Sequence, residues 1–381
     1  MNEPHLPGAT IGVMGGGQLG RMFAIAARTM GYRVEIFTPE ENSPAGFFAD
    51  LTRIADYTNE SAVRRFARDV AVITFEFENI PAQTIEWCAQ DRDLRPAGPI
   101  LQIAQNRLCE KNFLASAGFP IAPFRAVHSA HELESAIEQI GRPAILKTIA
   151  FGYDGKGQQT INTRDDFDEI WSASSADELV LESAIDFKKE LSIIVARGAD
   201  GELTTFPACE NVHRNQILDV TVVPARVPPQ VEAQAATLAR ALAEKLELVG
   251  LLAVEMFLKT DGELLVNELA PRPHNSGHWT IEGCATSQFE QQVRAVCGLP
   301  LGSTEILQPA AMANILGDAW QHGEPCWEKA LKTPGVHLHL YGKTEPRPRR
   351  KMGHLTATAP TAEEAIERVT KARRDLHAAA P

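Results

Sequence analysis

Apolar and polar positions follow three successive rhythms along this chain, and each predicts a different layer of structure. Over the first hundred residues, short apolar runs alternate with segments of helical period. Strands are expected at 11–14, 32–37 and 70–75, and helices at 18–30, 61–68 and 81–90. This βαβαβ order predicts a doubly wound parallel sheet with helices on both faces. The run Arg95-Pro96-Ala97-Gly98-Pro99 punctuates its end, and one continuous helix is expected over 100–117, closed by Gly118. A small α+β region follows, with strands at 124–127, 144–148 and 179–182 and helices at 130–140 and 164–172. From 183 onward the pattern is mostly antiparallel. It gives strands at 189–195 and 202–206, a long helix at 231–246, a hairpin around Asp261-Gly262 and a helix at 288–296. Short strands at 312–316, 336–341 and 355–359 then alternate with helices at 327–331 and 361–372. The expected class is therefore mixed α/β and α+β, in three units: 1–107, a βαβ domain; 108–182, a small α+β lid; 183–381, an antiparallel-sheet domain ending in a small β-rich subdomain.

Composition narrows the function classes. The chain has 381 residues, 44% hydrophobic and 23% charged, the balance of an ordinary globular protein with real cores. Acids outnumber bases 49 to 37, a net charge of -12, which argues against a general nucleic-acid or membrane-surface binder. The six cysteines have neither CxxC nor zinc spacing, as expected of thiols in a reducing cytosol. Residues 1–10 lack the apolar core of a signal peptide, and no apolar run is long enough for a membrane span, so a cytoplasmic location is expected.

The chemistry is concentrated in a few places. Asp-Gly between two apolar runs is a strong hairpin signal. If Asp261 and Gly262 form a two-residue loop, Thr260 pairs with Glu263, and counting outward sets Glu255 opposite Glu268. Like charges so placed repel, unless a hard cation such as magnesium sits between them. The polar, proline-stiffened run from Leu269 to His278 follows directly. His274 and His278 are four apart, but Pro271 and Pro273 oppose a regular helix there, so a zinc site is rejected. His337 and His339 alternate on an expected strand and read as structural.

Gly15-Gly16-Gly17-Gln18-Leu19-Gly20 follows a strand and opens a helix, which brings backbone N–H groups to a phosphate. An acid closing the second strand, which a dinucleotide site requires, comes late, at Glu40 after a proline. A different phosphorylated ligand is therefore favoured over NAD. Phe151 to Gln158 carries three glycines in six residues beside Lys147 and Lys156, the makings of a phosphate-wrapping loop. Glu182 and Glu190 flank Lys188 and Lys189, either a solvated turn or an adenine-binding hinge in which Glu190 accepts from ribose hydroxyls. Arg347-Pro348-Arg349-Arg350-Lys351 is a dense basic run in an acidic chain, either solvated or an anion site.

In this order the motifs resemble the ATP-grasp superfamily of carboxylate–amine ligases. Within it, Gly15 to Met22, Gly152 to Gly157 and Arg272-Pro273-His274-Asn275-Ser276-Gly277-His278 are similar to the 5-(carboxyamino)imidazole ribonucleotide synthase family of purine biosynthesis. The resemblance runs from Ile11 to about Ala359 and implies an ATP-grasp fold. It implies that ATP, bicarbonate and 5-aminoimidazole ribonucleotide become the carboxyamino product, ADP and phosphate. It also implies that ATP is surrounded by Arg107, Lys147, Gly152, Tyr153, Asp154, Gly155, Lys156, Gly157, Gln158, Glu182, Ser183, Ala184, Ile185, Glu190, His213, Asn267 and Glu268. Glu255 and Glu268 would hold Mg2+. Glu76, Tyr153, Asp154, Lys156, Arg272, His274 and Lys351 would handle bicarbonate and the aminoimidazole, and Gly17, Gln18, Leu19, Arg350 and Lys351 the substrate phosphate. Relatives often carry arginine where this chain has Lys156, so a point charge replaces a planar fork there. Relatives are commonly homodimers. The alternatives are a sister ligase such as a formate-dependent glycinamide ribonucleotide transformylase, an NAD oxidoreductase, and a nucleotide sensor without turnover.

Overall fold

The computed structural model describes residues 3–150, 157–162, 167–174 and 177–377, and these form three sheets. The first holds β1 (Thr10–Met14), β2 (Arg33–Thr38), β3 (Leu51–Ile54) and β4 (Val72–Phe75), all parallel, in the order β3-β2-β1-β4. β4 reads as a nearly apolar run because both faces of the sheet are covered, and β2 is buried from Val34 onward although it holds Glu35, which pairs with Arg53 at 2.8 Å. β3 was not expected. Its four residues Leu-Thr-Arg-Ile are too short to set a period, and Leu51 and Ile54 are both exposed at the sheet edge.

The helix expected over 100–117 is two helices, Gly98–Gln105 and Arg107–Ser116. Asn106 breaks them with an extended backbone (φ -122°, ψ 112°), and its side chain accepts from the Cys109 N–H at 2.9 Å. Asparagine favours this capping position over a helix interior, and the apolar pattern alone does not show the break.

The second sheet is antiparallel and contains β5 (Phe124–Val127), β6 (Ala144–Thr148), β7 (Gln158–Ile161) and β8 (Leu179–Ser183), in the order β5-β8-β6-β7. Helices Ala130–Ile140 and Phe167–Ser174 pack on it through Leu133, Ile137 and Ile170. The beginning of the helix expected at 164–172 lies outside the described residues, as does the loop 151–156.

The third sheet is built from β9 (Phe187–Arg197), β10 (Leu203–Thr205), β11 (Cys209–Arg214), β12 (Ile217–Val223), β13 (Gly250–Lys259), β14 (Leu264–Ala270), β15 (Ala310–Leu316), β16 (Val336–Leu340) and β17 (Lys351–Thr358). The order is β14-β13-β9-β11-β12-β15-β17-β16, with β10 beside β9, so the terminal strands continue the central sheet. β11 and β12 were not read from the sequence. β11 is Cys-Glu-Asn-Val-His-Arg, polar because Asn211 and His213 line a cleft.

The units are joined by packing. Helix Gln288–Cys297 buries Phe289, Val293 and Val296 in the same apolar cluster as Phe23 and Ala27 of helix Gln18–Thr29. Buried Gln292 donates to Thr74 Oγ1 at 2.8 Å, and Arg95 donates to the Val296 carbonyl at 2.8 Å. The first sheet is thereby held against the third.

Candidate active site

All three sheets open on one cleft of about 1140 Å³, lined by Gln18, Glu76, Lys147, Glu190, His213, Glu255, Glu268, Arg272, His274 and Lys351 among others. Glu255 and Glu268 are direct partners in the β13–β14 ladder. The route to that register differs from the expected one. Lys259 N–H bonds to the Glu263 carbonyl and Gly262 (φ +92°) closes a three-residue loop, so Leu258, not Thr260, leads the pairing with Leu264. A β-bulge at Asn267 then inserts one residue and brings Glu268 opposite Glu255.

Glu255 is pushed up to about 7 by burial and by the charge of Glu268. Glu110, buried behind them, is pushed up to about 8 for the same two reasons. Negative charge is thus held at a cost that a cation would relieve, and an all-oxygen pair suits a hard ion. The residues fit magnesium. Arg107 lies 3.7 Å from Glu268, and His274 Nε2 lies 3.3 Å from Glu255.

His274 heads a short 3-10 turn, Asn275–Gly277, rather than a regular helix. Its Nδ1 accepts from the Ser276 N–H (3.4 Å) and is 2.9 Å from Ser276 Oγ. A backbone N–H can only donate, so Nδ1 is the bare nitrogen and Nε2 carries the proton that faces Glu255. Burial, and then the charge of Arg272, push the ring well below the ordinary histidine range, so it is neutral. Gln288 fixes the turn, accepting from the His274 N–H at 2.9 Å and donating to its carbonyl at 2.8 Å. A side chain at Gly277 would collide with Ile194 and Gln288, which explains the glycine within this run.

On the lid side, Lys147 of β6 donates to Glu182 of β8 at 2.9 Å, and buried Lys111 stands 3.4 Å from the same oxygen. Burial alone would raise Glu182, but Lys111 and Lys147 outweigh it and hold the carboxyl down to about 2. Glu182 is therefore a buried ion-pair residue and not part of a solvated turn. Ser183, Ala184 and Ile185 follow it outside the cleft lining, where the Ser183 and Ala184 N–H groups bond to the Pro123 and Pro143 carbonyls. Glu190 is paired with His213 Nδ1, and this contact outweighs burial to raise the imidazole. Gly157 (φ +71°) and Gln158 reach the cleft, and Thr148 N–H bonds to the Gly157 carbonyl. Gly152, Tyr153, Asp154, Gly155 and Lys156 lie outside the described residues.

The opposite wall combines the glycine turn with the C-terminal basic run. Glu76 accepts from the Gly17 N–H (2.8 Å) and the Gly20 N–H (3.3 Å), so a carboxylate of the protein itself occupies part of the expected phosphate cradle. A Cβ at Gly17 would lie 2.5 Å from Glu76 Oε1. Gly17, Gln18, Leu19, Arg350 and Lys351 nevertheless all line the cleft. Arg272 forms a two-pronged pair with Glu78, at 2.6 and 2.8 Å, which overcomes burial and keeps Glu78 low. Lys343 reaches from the C-terminal segment to Gln18.

Sequence reasoning missed Glu78, Glu110, Lys111, Gln288 and Lys343. Glu78 had a signal, because Glu76 and Glu78 alternate with aromatics after an apolar strand and so share a face. The others gain their roles only from contacts more than 100 residues away or through a loop with no periodicity.

Comparison with known proteins gives the family and the fold. Residues 8–105 match the ribonucleotide synthetase preATP-grasp domain, 112–289 the ATP-grasp domain and 310–368 the phosphoribosylaminoimidazole carboxylase C-terminal domain. The chain is 47% identical over 364 residues to the N5-carboxyaminoimidazole ribonucleotide synthase of Bacillus subtilis, covering 96% of this chain and 95% of that protein. A solved N5-carboxyaminoimidazole ribonucleotide synthetase in complex with ADP superposes with a TM-score of 0.92 at 43% identity, covering 98% of both chains. An Aspergillus clavatus N5-carboxyaminoimidazole synthase, in complex with ADP and 5-aminoimidazole ribonucleotide, matches with a TM-score of 0.90 at 34% identity, covering 97% of this chain and 98% of that one. With its paired glutamates, Lys147, His274 and Asn275 gathered in one cleft, the chain belongs to the N5-carboxyaminoimidazole ribonucleotide synthase family of ATP-grasp enzymes.

Proposed function

We propose that the chain is an ATP-dependent carbon–nitrogen ligase that carboxylates 5-aminoimidazole ribonucleotide with bicarbonate, releasing ADP and phosphate in purine biosynthesis. The single observation that carries this is the convergence on one cleft of an acid pair, a nucleotide-side lysine and a basic wall. A relative of the same fold holds ADP and 5-aminoimidazole ribonucleotide together, as such a cleft requires.

In the proposed sequence a bicarbonate oxygen attacks the γ-phosphorus, the bond to the β-bridging oxygen breaks and ADP leaves. Glu255 and Glu268 would hold the magnesium ion, which when bound supplies charge neutralisation at the phosphoryl group. Arg107 and Lys147 add fixed positive charge on the nucleotide side. The mixed anhydride, carboxyphosphate, is sensitive to water. Gly152 to Gln158, with Tyr153, Asp154 and Lys156, are assigned the role of covering it, an assignment that rests on their sequence. The exocyclic amine then forms its bond to carbon as phosphate departs, and phosphate is basic enough to take the amine proton. The Arg272 guanidinium and the neutral His274 imidazole border the acid pair where the amine must arrive, and Glu76 lies beside the ribose-phosphate wall. Gly17, Gln18, Leu19, Arg350 and Lys351 bind the phosphate, with Gln18 and Leu19 keeping first-turn N–H groups for it. Glu190, His213 and Asn267 face the nucleoside, with Glu182 behind them paired to Lys147.

We divide the chain at 107 and 182 and assign it to the cytoplasm, where its six free cysteines stay reduced. We further assign it as a homodimer, which the exposed apolar edge formed by Phe47, Leu51 and Ile54 supports. ADP release decides the substrate. It should require bicarbonate and aminoimidazole ribonucleotide together. Turnover with formate and glycinamide ribonucleotide instead would assign the sister activity.

A further inference from the structure

β14 is an edge strand of the nine-stranded sheet, and its outer backbone groups would be open but for the stretch of chain at 110–120. That chain covers them in order. Val266 N–H bonds to the Pro120 carbonyl at 2.7 Å, Lys111 Nζ donates to the Asn267 carbonyl at 3.0 Å, and Leu269 N–H donates to Glu110 Oε1 at 2.7 Å. The last two contacts flank Glu268 on either side, at the bulge that brings it opposite Glu255. Both come from consecutive residues of helix Arg107–Ser116, and both side chains are buried. A bulge leaves ladder groups unpaired, so its geometry is fixed only if something else binds them. Lys111 also stands 3.4 Å from Glu182, which holds Lys147.

We propose that Glu110 and Lys111 are positioning residues: they clamp the Asn267 bulge so that Glu268 is aimed at the metal, and Lys111 ties that aim to the lid carboxylate beside the nucleotide lysine. This rests on the assignment of Glu255 and Glu268 as metal ligands. Glu110 acts as a backbone acceptor, so the identity of its oxygen matters and its charge does not. Lys111 acts on both sides, so its loss is felt by metal and nucleotide together.

The test is calorimetric binding of the ATP analogue AMPPNP to the full chain, with Mn2+ and again in EDTA, together with hydrogen exchange at the Leu269 amide. The metal-dependent gain in affinity should fall at least tenfold in Glu110→Leu, with EDTA affinity within twofold of wild type and faster Leu269 exchange. Glu110→Gln keeps an acceptor and should restore both. Lys111→Met, which keeps the buried stem and stands in if Glu110→Leu does not fold, should lower the metal gain and the EDTA affinity alike. A Glu110→Leu protein with faster exchange but an undiminished metal gain overturns the proposal, as does Glu110→Gln behaving like Glu110→Leu. Glu268→Gln serves as the control. If it keeps the full metal gain, the carboxylate assignment itself fails, a result distinct from failure of the clamp.

Discussion

Glu255 and Glu268 face each other across β13 and β14 only because Asn267 is bulged out of the ladder between them. Burial, and then the repulsion between the two carboxylates, push Glu255 up to about 7. Replacing either by glutamine removes a ligand from the proposed cation site. Glu268→Gln and Glu255→Gln are each expected to lower kcat at least 100-fold at a fixed magnesium concentration, on the order of the loss seen when one charge-stabilising group is removed from an active site. A steady-state ADP assay across a magnesium titration checks this. Unchanged turnover in either variant would sink the metal assignment.

The same shift sets a pH dependence. A carboxyl that titrates near 7 must lose its proton before it can bind a cation. Below that pH the metal competes with one proton, so its apparent affinity should fall by up to about tenfold per pH unit, and above it should level off. Mn2+ titrations at pH 6 and pH 8 read this directly, and equal affinities would argue against Glu255 as a ligand.

Arg272 and Glu78 form a two-pronged pair between the third sheet and the end of the first. Lysine cannot reproduce that fork. Arg272→Lys should raise the KM for aminoimidazole ribonucleotide about tenfold or more while leaving the KM for ATP within threefold. Removing the charge in Arg272→Met should also cost about 2 kcal/mol of stability, the usual scale for a hydrogen bond to a charged group. Urea unfolding measures the second effect.

Lys351 borders the wall assigned to the substrate phosphate. Lys351→Ala should raise the KM for the ribonucleotide more than tenfold and that for ATP much less. Equal increases for both would remove it from phosphate binding.

Glu182 carries a stability prediction whose sign is fixed by its downward shift. Its folded-state carboxyl titrates at about 2 against an ordinary 4.5, so its contribution is complete above pH 4.5 and fades as pH falls toward 2. The shift alone corresponds to at most about 3 kcal/mol. Burial pushes its partner Lys147 down, which offsets part of that gain. Unfolding of wild type against Glu182→Gln should therefore show a constant gap above pH 4.5 that narrows in acid. A gap that widens in acid would contradict the ion pair.

The sequence by itself determined the parallel N-terminal sheet, the antiparallel character after residue 183 and the chemistry of the acid hairpin. These depend on local period and on turn residues, which are written in neighbouring positions. It also determined that Glu255 meets Glu268, though through a loop one residue longer than Asp-Gly implies and a bulge that compensates for it. Only the tertiary structure decided the rest. The break at Asn106 turns on one capping bond, and the polar strand Cys209–Arg214 is a strand because its neighbours supply the ladder. Glu76 is committed to Gly17 and Gly20 from more than fifty residues away, and Glu110 and Lys111 find the bulge across more than 150. Such contacts join backbone groups and buried charges that have no partner nearby in the chain, so no local pattern encodes them; they exist once the sheets are packed.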